Sequence, residues 1–141
     1  MTKISKQVIV MRKTFIIDGK QITPRKGKYI AQGSHASLKA LLDLKETYID
    51  KDGFVHMSIH TTQDTALWDW LKGSFTKVCV VVETEEELLD IYNKAKEKGL
   101  ITALITDSGR TEFGGVPTNT CCSLLGWSDE VDEITGKLPL F

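Results

Sequence analysis

Residues 77–107 read KVCVVVETEEELLDIYNKAKEKGLITALITD, and their pattern decides the fold. Lys77 to Val82 is a strongly apolar run of the kind that a sheet buries on both faces. Thr84, with Glu87 three residues on, is a capping box, so a helix starts there. Leu88, Ile91, Tyr92 and Ala95 recur at helical spacing and give that helix a buried stripe, which Gly99 closes. Leu100 to Thr106 is a further apolar strand, and it runs straight into DSGRT. Strands alternating with helices predict an α/β sheet covered on both faces.

Working outward, QVIVM at residues 7–11 reads as another buried strand. FIIDGKQI, residues 15–22, predicts a hairpin, because Asp-Gly between two apolar-leaning runs is the strongest short turn signal. Pro24 and Gly27 punctuate the way into a helix from about Tyr29 to Leu44. Ile30, Leu38, Leu41 and Leu42 are expected to form its core face. Ala31, Gly33, Ala36 and Ala40 would let it approach a sheet closely. Residues 46–62 predict an inserted strand or hairpin, with Val55, Met57 and Ile59 alternating against His56, Ser58 and His60. A short helix, DTALWDWLKG, has Asp64 as its expected cap and Gly73 as its stop. After a Gly-rich loop, residues 120–125 predict the last strand and SDEVDEI an acidic turn. The expected fold is one α/β domain over residues 1–141. It has a mixed sheet of about four core strands between helices on both faces, a three-layer α/β/α arrangement, plus inserted hairpin segments.

Composition excludes several classes. The 141 residues are 41% hydrophobic and 26% charged, as in ordinary globular domains. No apolar run approaches the roughly 18–20 residues a membrane helix needs, so no membrane partner is expected. MTKISKQVIVMRK lacks a leader's long apolar region. Three cysteines without C-x-x-C spacing argue against a disulfide framework and a zinc site, and favour a reduced, cytoplasmic setting. His56 and His60 have no third ligand nearby and sit in strand-like sequence, so no metal is expected. No nucleophile elbow, P-loop or G-x-G-x-x-G occurs. Charge is asymmetric: residues 1–45 carry ten Lys/Arg against Asp18 and Asp43, a net +8, while the rest carries −9. Such asymmetry suits a basic face for a polyanion, unless folding intermingles the charges.

Three constellations can carry chemistry. In KGKYIAQGSHA, residues 26–36, Lys28, Gln32, His35 and Lys39 fall along one polar stripe of a helix. Lys28 sits at the first turn, where the helix dipole favours anions, and Lys26 lies beside it. DSGRTEFGG, residues 107–115, starts at the carboxyl end of a strand, where open α/β sheets place their sites. Asp107 offers a carboxylate there, Arg110 a fork for phosphate, and Thr111 a hydroxyl donor. In GVPTNTCC, residues 115–122, Thr118 and Thr120 have the same parity and can point the same way.

Together these stretches resemble the peptidyl-tRNA hydrolase 2 family. QVIVMRK resembles its first strand, KGKYIAQGSHA its first helix, and KVCVVVETEEELLDIYNKAKEKGL with ITALITDSGRTEF its second strand, a helix and its D-A-G-R-T signature. EITGKLPLF resembles its terminus. The resemblance implies an enzyme that hydrolyses the ester between a peptide and tRNA, without cofactor, recycling tRNA. It implies Lys28, Asp107 and Thr111 as the catalytic group. Lys26, Gln32, His35, Arg110 and a later threonine, Thr118 or Thr120, would bind substrate. The chain departs from the family in DSG for DAG and in Gly126-Trp127-Ser128 where Gly-Pro is usual. Residues 14–24 and 46–62 look like insertions, at tRNA contacts or at the subunit interface of a homodimer.

Hydrolysis needs an activated water, a stabilised oxyanion and a proton for the leaving oxygen. Asp107 would orient or activate water, Lys28 would stabilise negative charge or protonate the leaving oxygen, and Thr111 would donate to the tetrahedral intermediate. An Asp–Lys pair favours the carboxylate, which makes Asp107 a weak base. The rival readings are a tRNA- or RNA-binding module that has lost hydrolysis and a small-molecule phosphate-binding α/β protein. The first need not keep Lys28, Asp107 and Thr111 together. The second needs a Gly-rich loop after the first strand, where this chain has MRKTFIID.

Overall fold

The computed structural model describes residues 3–141. In chain order the elements are β1 (Ser5–Arg12), β2 (Phe15–Ile17), β3 (Lys20–Ile22), α1 (Lys26–Leu42), β4 (Glu46–Ile49) and β5 (Val55–Ser58). Then follow α2 (Ala66–Asp69) with a π-helical stretch (Trp70–Ser74), β6 (Lys77–Val82), α3 (Glu85–Glu97), β7 (Ile101–Asp107), β8 (Thr118–Trp127) and α4 (Ser128–Thr135). The main sheet has the order β6-β1-β8-β7. β1 pairs parallel with β6, while β8 runs antiparallel to β1 and β7. It is therefore a mixed four-stranded sheet with helices on both faces.

One face carries Val8, Val10, Val80, Val82, Cys122 and Leu124, packed against Leu88, Ile91 and Ala95 of α3 and Val131 of α4. Each of the buried Val, Leu and Ile side chains contributes about 1.5–3 kcal/mol of transfer free energy. The Thr84 half of the capping box forms as expected, and the other half shifts by one residue: Thr84 Oγ1 accepts the Glu87 N–H at 3.2 Å. The Glu87 carboxylate reaches back to the Glu83 N–H at 3.1 Å. Asp18 and Gly19 both adopt positive φ, 52° and 75°, the mirror-image turn that a two-residue hairpin requires.

The opposite face meets α1, and here the structure corrects the sequence reading. The helix starts at Lys26, so Lys26 and Lys28 both lie in its first turn. Its buried residues are Gln32, Gly33, Ala36 and Ala40, whereas Ile30 and Leu38 are 71% and 56% exposed. Small residues win because the backbone must come close. Sheet side chains hydrogen-bond it directly, Ser123 Oγ to the Ala36 carbonyl at 2.7 Å and Gln7 Nε2 to the Ser37 carbonyl at 3.2 Å. Two further expectations change. Thr65, not Asp64, caps α2, its hydroxyl accepting the Trp68 N–H. The acidic segment is helix α4 rather than a turn, because Val131 and Thr135, one helical turn apart, are buried and Asp129 and Glu130 suit a helix start. Residues 46–58 form a two-stranded hairpin, all eight of whose strand residues are exposed.

Folding also mixes the charges. Lys6, Arg12, Arg25 and Lys28 of the basic portion pair with Asp132, Glu85, Glu112 and Asp107 of the acidic remainder.

Candidate active site

Three elements converge at the carboxyl end of β7. α1 presents Lys28 from its first turn and Gln32 one turn later. β7 ends on Asp107, and the following loop brings Thr111 back over α1. Lys28 Nζ lies 3.0 Å from Asp107 Oδ2 and donates to Thr111 Oγ1 at 2.8 Å. Gln32 Nε2 donates to Asp107 Oδ1 at 3.2 Å, and the Gly109 N–H donates to Oδ2 at 2.9 Å. Both sides of the Lys28–Asp107 pair are nearly enclosed, with 12% and 14% of the side chains exposed. Burial pushes the Asp107 carboxyl up. The Lys28 ammonium, the Gly109 N–H and Gln32 together outweigh that and hold it below the usual carboxylate range.

Gln32 is fixed from behind. It is 3% exposed, and Thr120 Oγ1 donates to its Oε1 at 2.6 Å. Cys121 Sγ lies 3.2 Å from the Gln32 backbone carbonyl. Neighbouring residues of a strand normally face opposite ways. Here Thr120 and Cys121 both face α1, because the β7–β8 register shifts between Ile105, paired with Cys121, and Thr106, paired with Asn119. Burial raises the Cys121 thiol to about 12, so it is a weak donor and no thiolate nucleophile.

The loop is braced by residues that sequence reasoning missed. Glu112 accepts the Arg25 N–H at 3.1 Å and Arg25 Nε at 2.8 Å, clasping the loop to the start of α1 where no side chain of α1 caps it. Phe113 is fully buried with its ring centroid 4.6 Å from that of Phe15, and Lys28 Nζ lies 5.3 Å above it. The signal was an aromatic residue two places after Thr111, but its partner Phe15 is distant in sequence. Gly109 has φ +81°, and a Cβ there would sit 2.1 Å from the Val116 carbonyl oxygen.

Of the sequence-predicted residues, Lys28, Asp107, Thr111, Gln32 and Thr120 come together. Thr118 is buried beside them as the β-partner of Asp107, but its hydroxyl donates to the Val116 carbonyl at 2.7 Å. Arg110 is exposed on the loop, without an ion pair among the described residues. Lys26 and His35 do not reach the group. Lys26 is two residues, about 200° of helix, from Lys28, and lines a groove on the far side of α1. His35 shares the angle of Lys28 but lies about 10 Å further along the axis, beside Leu104, Ile105 and Thr106 of β7 rather than at the strand's carboxyl end. Lys39 pairs with Asp43. Among the described residues no group of three or more His, Cys, Asp or Glu converges to hold a metal ion. No helix there is long and apolar enough to cross a membrane.

The family model described as peptidyl-tRNA hydrolase PTH2 matches residues 5–141. The chain belongs to this family. A peptidyl-tRNA hydrolase of Methanocaldococcus jannaschii is 38% identical over 116 residues, covering 82% of this chain and 87% of the relative. One from Nanoarchaeum equitans is 36% identical over 139 residues, 96% of this chain and 98% of the relative. A solved structure of a protein of unknown function from Agrobacterium superposes with a TM-score of 0.54 over 97% of both chains at 14% identity, and shows the fold alone. Peptidyl-tRNA hydrolase family membership thus spans the sheet, both helix layers and the Lys28–Asp107–Thr111 convergence.

Proposed function

We propose that this chain, acting as one unit over residues 1–141, hydrolyses the ester of peptidyl-tRNA with Lys28, Asp107 and Thr111 as its catalytic group. The observation that carries the assignment is Lys28 Nζ bridging Asp107 at 3.0 Å and Thr111 at 2.8 Å in a chain of this family. Asp107 Oδ1 accepts one hydrogen bond from Gln32, which leaves a lone pair to receive a water. The water oxygen attacks the ester carbonyl carbon while Asp107 takes its proton. Because Thr111 Oγ1 accepts from Lys28, its own O–H is free to donate to the tetrahedral oxyanion, beside the Lys28 charge. When the bond to the ribose oxygen breaks, Lys28 delivers a proton to that oxygen. The proton held by Asp107 then returns across the 3.0 Å gap to Lys28, and the cycle closes.

A carboxyl held below its usual range is a weak base, so positioning of the water carries more of the rate than proton abstraction. Arg110 supplies a tRNA phosphate contact. The reaction belongs to translation, in the cytoplasm. A binding module without hydrolysis has no need for a half-buried Lys–Asp pair oriented by Gln32 and Thr120.

The test is incubation with N-blocked aminoacyl-tRNA, following release of the blocked amino acid, beside Lys28→Ala and Asp107→Asn. Release by the parent and loss in both variants is expected. No release with tRNA binding intact would leave the binding module. Equal release by all three proteins would refute the residue assignment.

A further inference from the structure

β7 is the last strand of the main sheet, so one of its sides has no neighbouring strand. Among the described residues, no backbone group outside β8 hydrogen-bonds to Ile101–Asp107. A free edge seven residues long is a template for a further strand. Beside it runs a groove of about 610 Å³, whose other wall is a stripe of α1 through His35, Leu38 and Leu42. Leu104, Ile105 and Thr106 line the groove in succession. Consecutive side chains of a strand face opposite ways, so a wall of three in a row is the strand's edge, main chain included. Lys28 heads the same stripe of α1, about two turns before His35. The groove therefore continues from the catalytic group, away from Asp107 and back along β7.

We propose that the peptide portion of peptidyl-tRNA lies extended in this groove and pairs, as an added strand, with the free edge of β7. The inference rests on the ester-hydrolase reading above and adds where the acyl chain goes. The scissile carbonyl is the peptide's carboxyl end and must meet Asp107, which ends β7. The rest of the peptide then leads back toward Ile101, so it runs parallel to β7. The lengths agree. Lys28 to Leu42 spans about 21 Å of helix, a distance that about six extended residues cover. Main-chain pairing does not depend on side chains, which suits a substrate class whose peptides differ in sequence. The walls favour a peptide over RNA. Leu38 and Leu42 are 56% and 37% exposed there. Lys39 is held by both oxygens of Asp43 at 2.9 Å, and Lys45 Nζ donates to the Leu42 carbonyl at 3.3 Å. A carboxylate in the lining beside lysines already engaged makes a poor track for phosphates.

The experiment compares kcat/KM for N-acetyl-alanyl-tRNA and N-acetyl-hexaalanyl-tRNA, with the parent and with Leu42→Asp. Leu42 lines this groove and not the one on the other side of α1, and circular dichroism verifies that the variant is folded. The parent should prefer the hexapeptide ester by about 10-fold or more, the sum of several main-chain hydrogen bonds. A second series, on the parent alone, replaces the amides of the hexapeptide one at a time by N-methyl amides. Losses of about 2–10-fold at every second position are the signature of a paired strand. Leu42→Asp should lose most of the preference for the longer ester, with release from the single-residue ester and binding of uncharged tRNA unchanged. Equal kcat/KM for both esters, or N-methyl losses without alternation, overturns the proposal and leaves the hydrolase reading standing. Equal losses in Leu42→Asp on both esters and on uncharged tRNA would give the groove to RNA and overturn it too. No release from either ester by the parent overturns both readings.

Discussion

Replacing Thr120 by valine tests how far a buried hydroxyl with no direct reach to substrate controls turnover. Thr120 is 1% exposed and its Oγ1 donates to Gln32 Oε1 at 2.6 Å. Valine keeps the volume and removes the donor. The Gln32 amide oxygen, itself buried, then lacks a partner, a cost of about 1–3 kcal/mol. If the amide swings to recover one, its Nε2 leaves Asp107 Oδ1. Either way Asp107 loses a fixed neighbour, and misplacement of that order costs about 10–100-fold in kcat. KM should change little, because nothing that meets the tRNA backbone has moved. The Gln32 bond also helps hold the Asp107 carboxyl low, so its loss shifts the acid limb of the pH–rate profile to higher pH. The assay is steady-state release from N-blocked aminoacyl-tRNA across pH, with urea unfolding in parallel. Thr120→Ser keeps the hydroxyl and should recover most of kcat. Parental kcat in the valine variant, or a serine variant as slow as valine, would refute the reasoning.

Gly109→Ala should reduce both kcat and the urea midpoint. Its Cβ would collide with the Val116 carbonyl at 2.1 Å, at a φ of +81° that L-residues rarely adopt, and circular dichroism should still report an intact sheet. Asp107 contributes to stability with a definite sign. Its folded pKa lies below the unfolded value, so its contribution is present above about pH 4 and lost as the pH falls through the folded value. Thermal unfolding of the parent should therefore drop more steeply below pH 4 than that of Asp107→Asn. Arg110→Ala should weaken tRNA binding and lower the slope of log affinity against log salt by about one, as measured by filter binding from low to moderate salt.

Much of the fold could be read because local signals agreed with the tertiary structure. The KVCVVV strand, the Thr84 cap and the Asp18-Gly19 turn each act within a few residues, and each formed where expected, although only Val80 and Val82 of that strand are buried rather than both of its faces. The core face of α1 was misread because hydrophobic periodicity weighs Ile30 and Leu38 above Gly33 and Ala36. Close approach to the sheet, and the bonds from Ser123 and Gln7, reverse that weighting. Lys28, Asp107 and Thr111 were legible from their positions at a helix start and a strand end. The choice between Thr118 and Thr120 was not. It depends on a register shift opposite Ile105 and Thr106, which alternation along a single strand cannot reveal. The Glu112–Arg25 clasp joins residues 87 positions apart, beyond any local pattern.

The most direct test of the account is whether Lys28 and Asp107 act as one unit. kcat/KM for release of the blocked amino acid should be measured for the parent, Lys28→Ala, Asp107→Asn and the double variant. The proton cycle needs both groups across their 3.0 Å contact, so the double variant should be no slower than the slower single variant. Losses that multiply in the double variant would show two independent contributions and contradict the shared cycle.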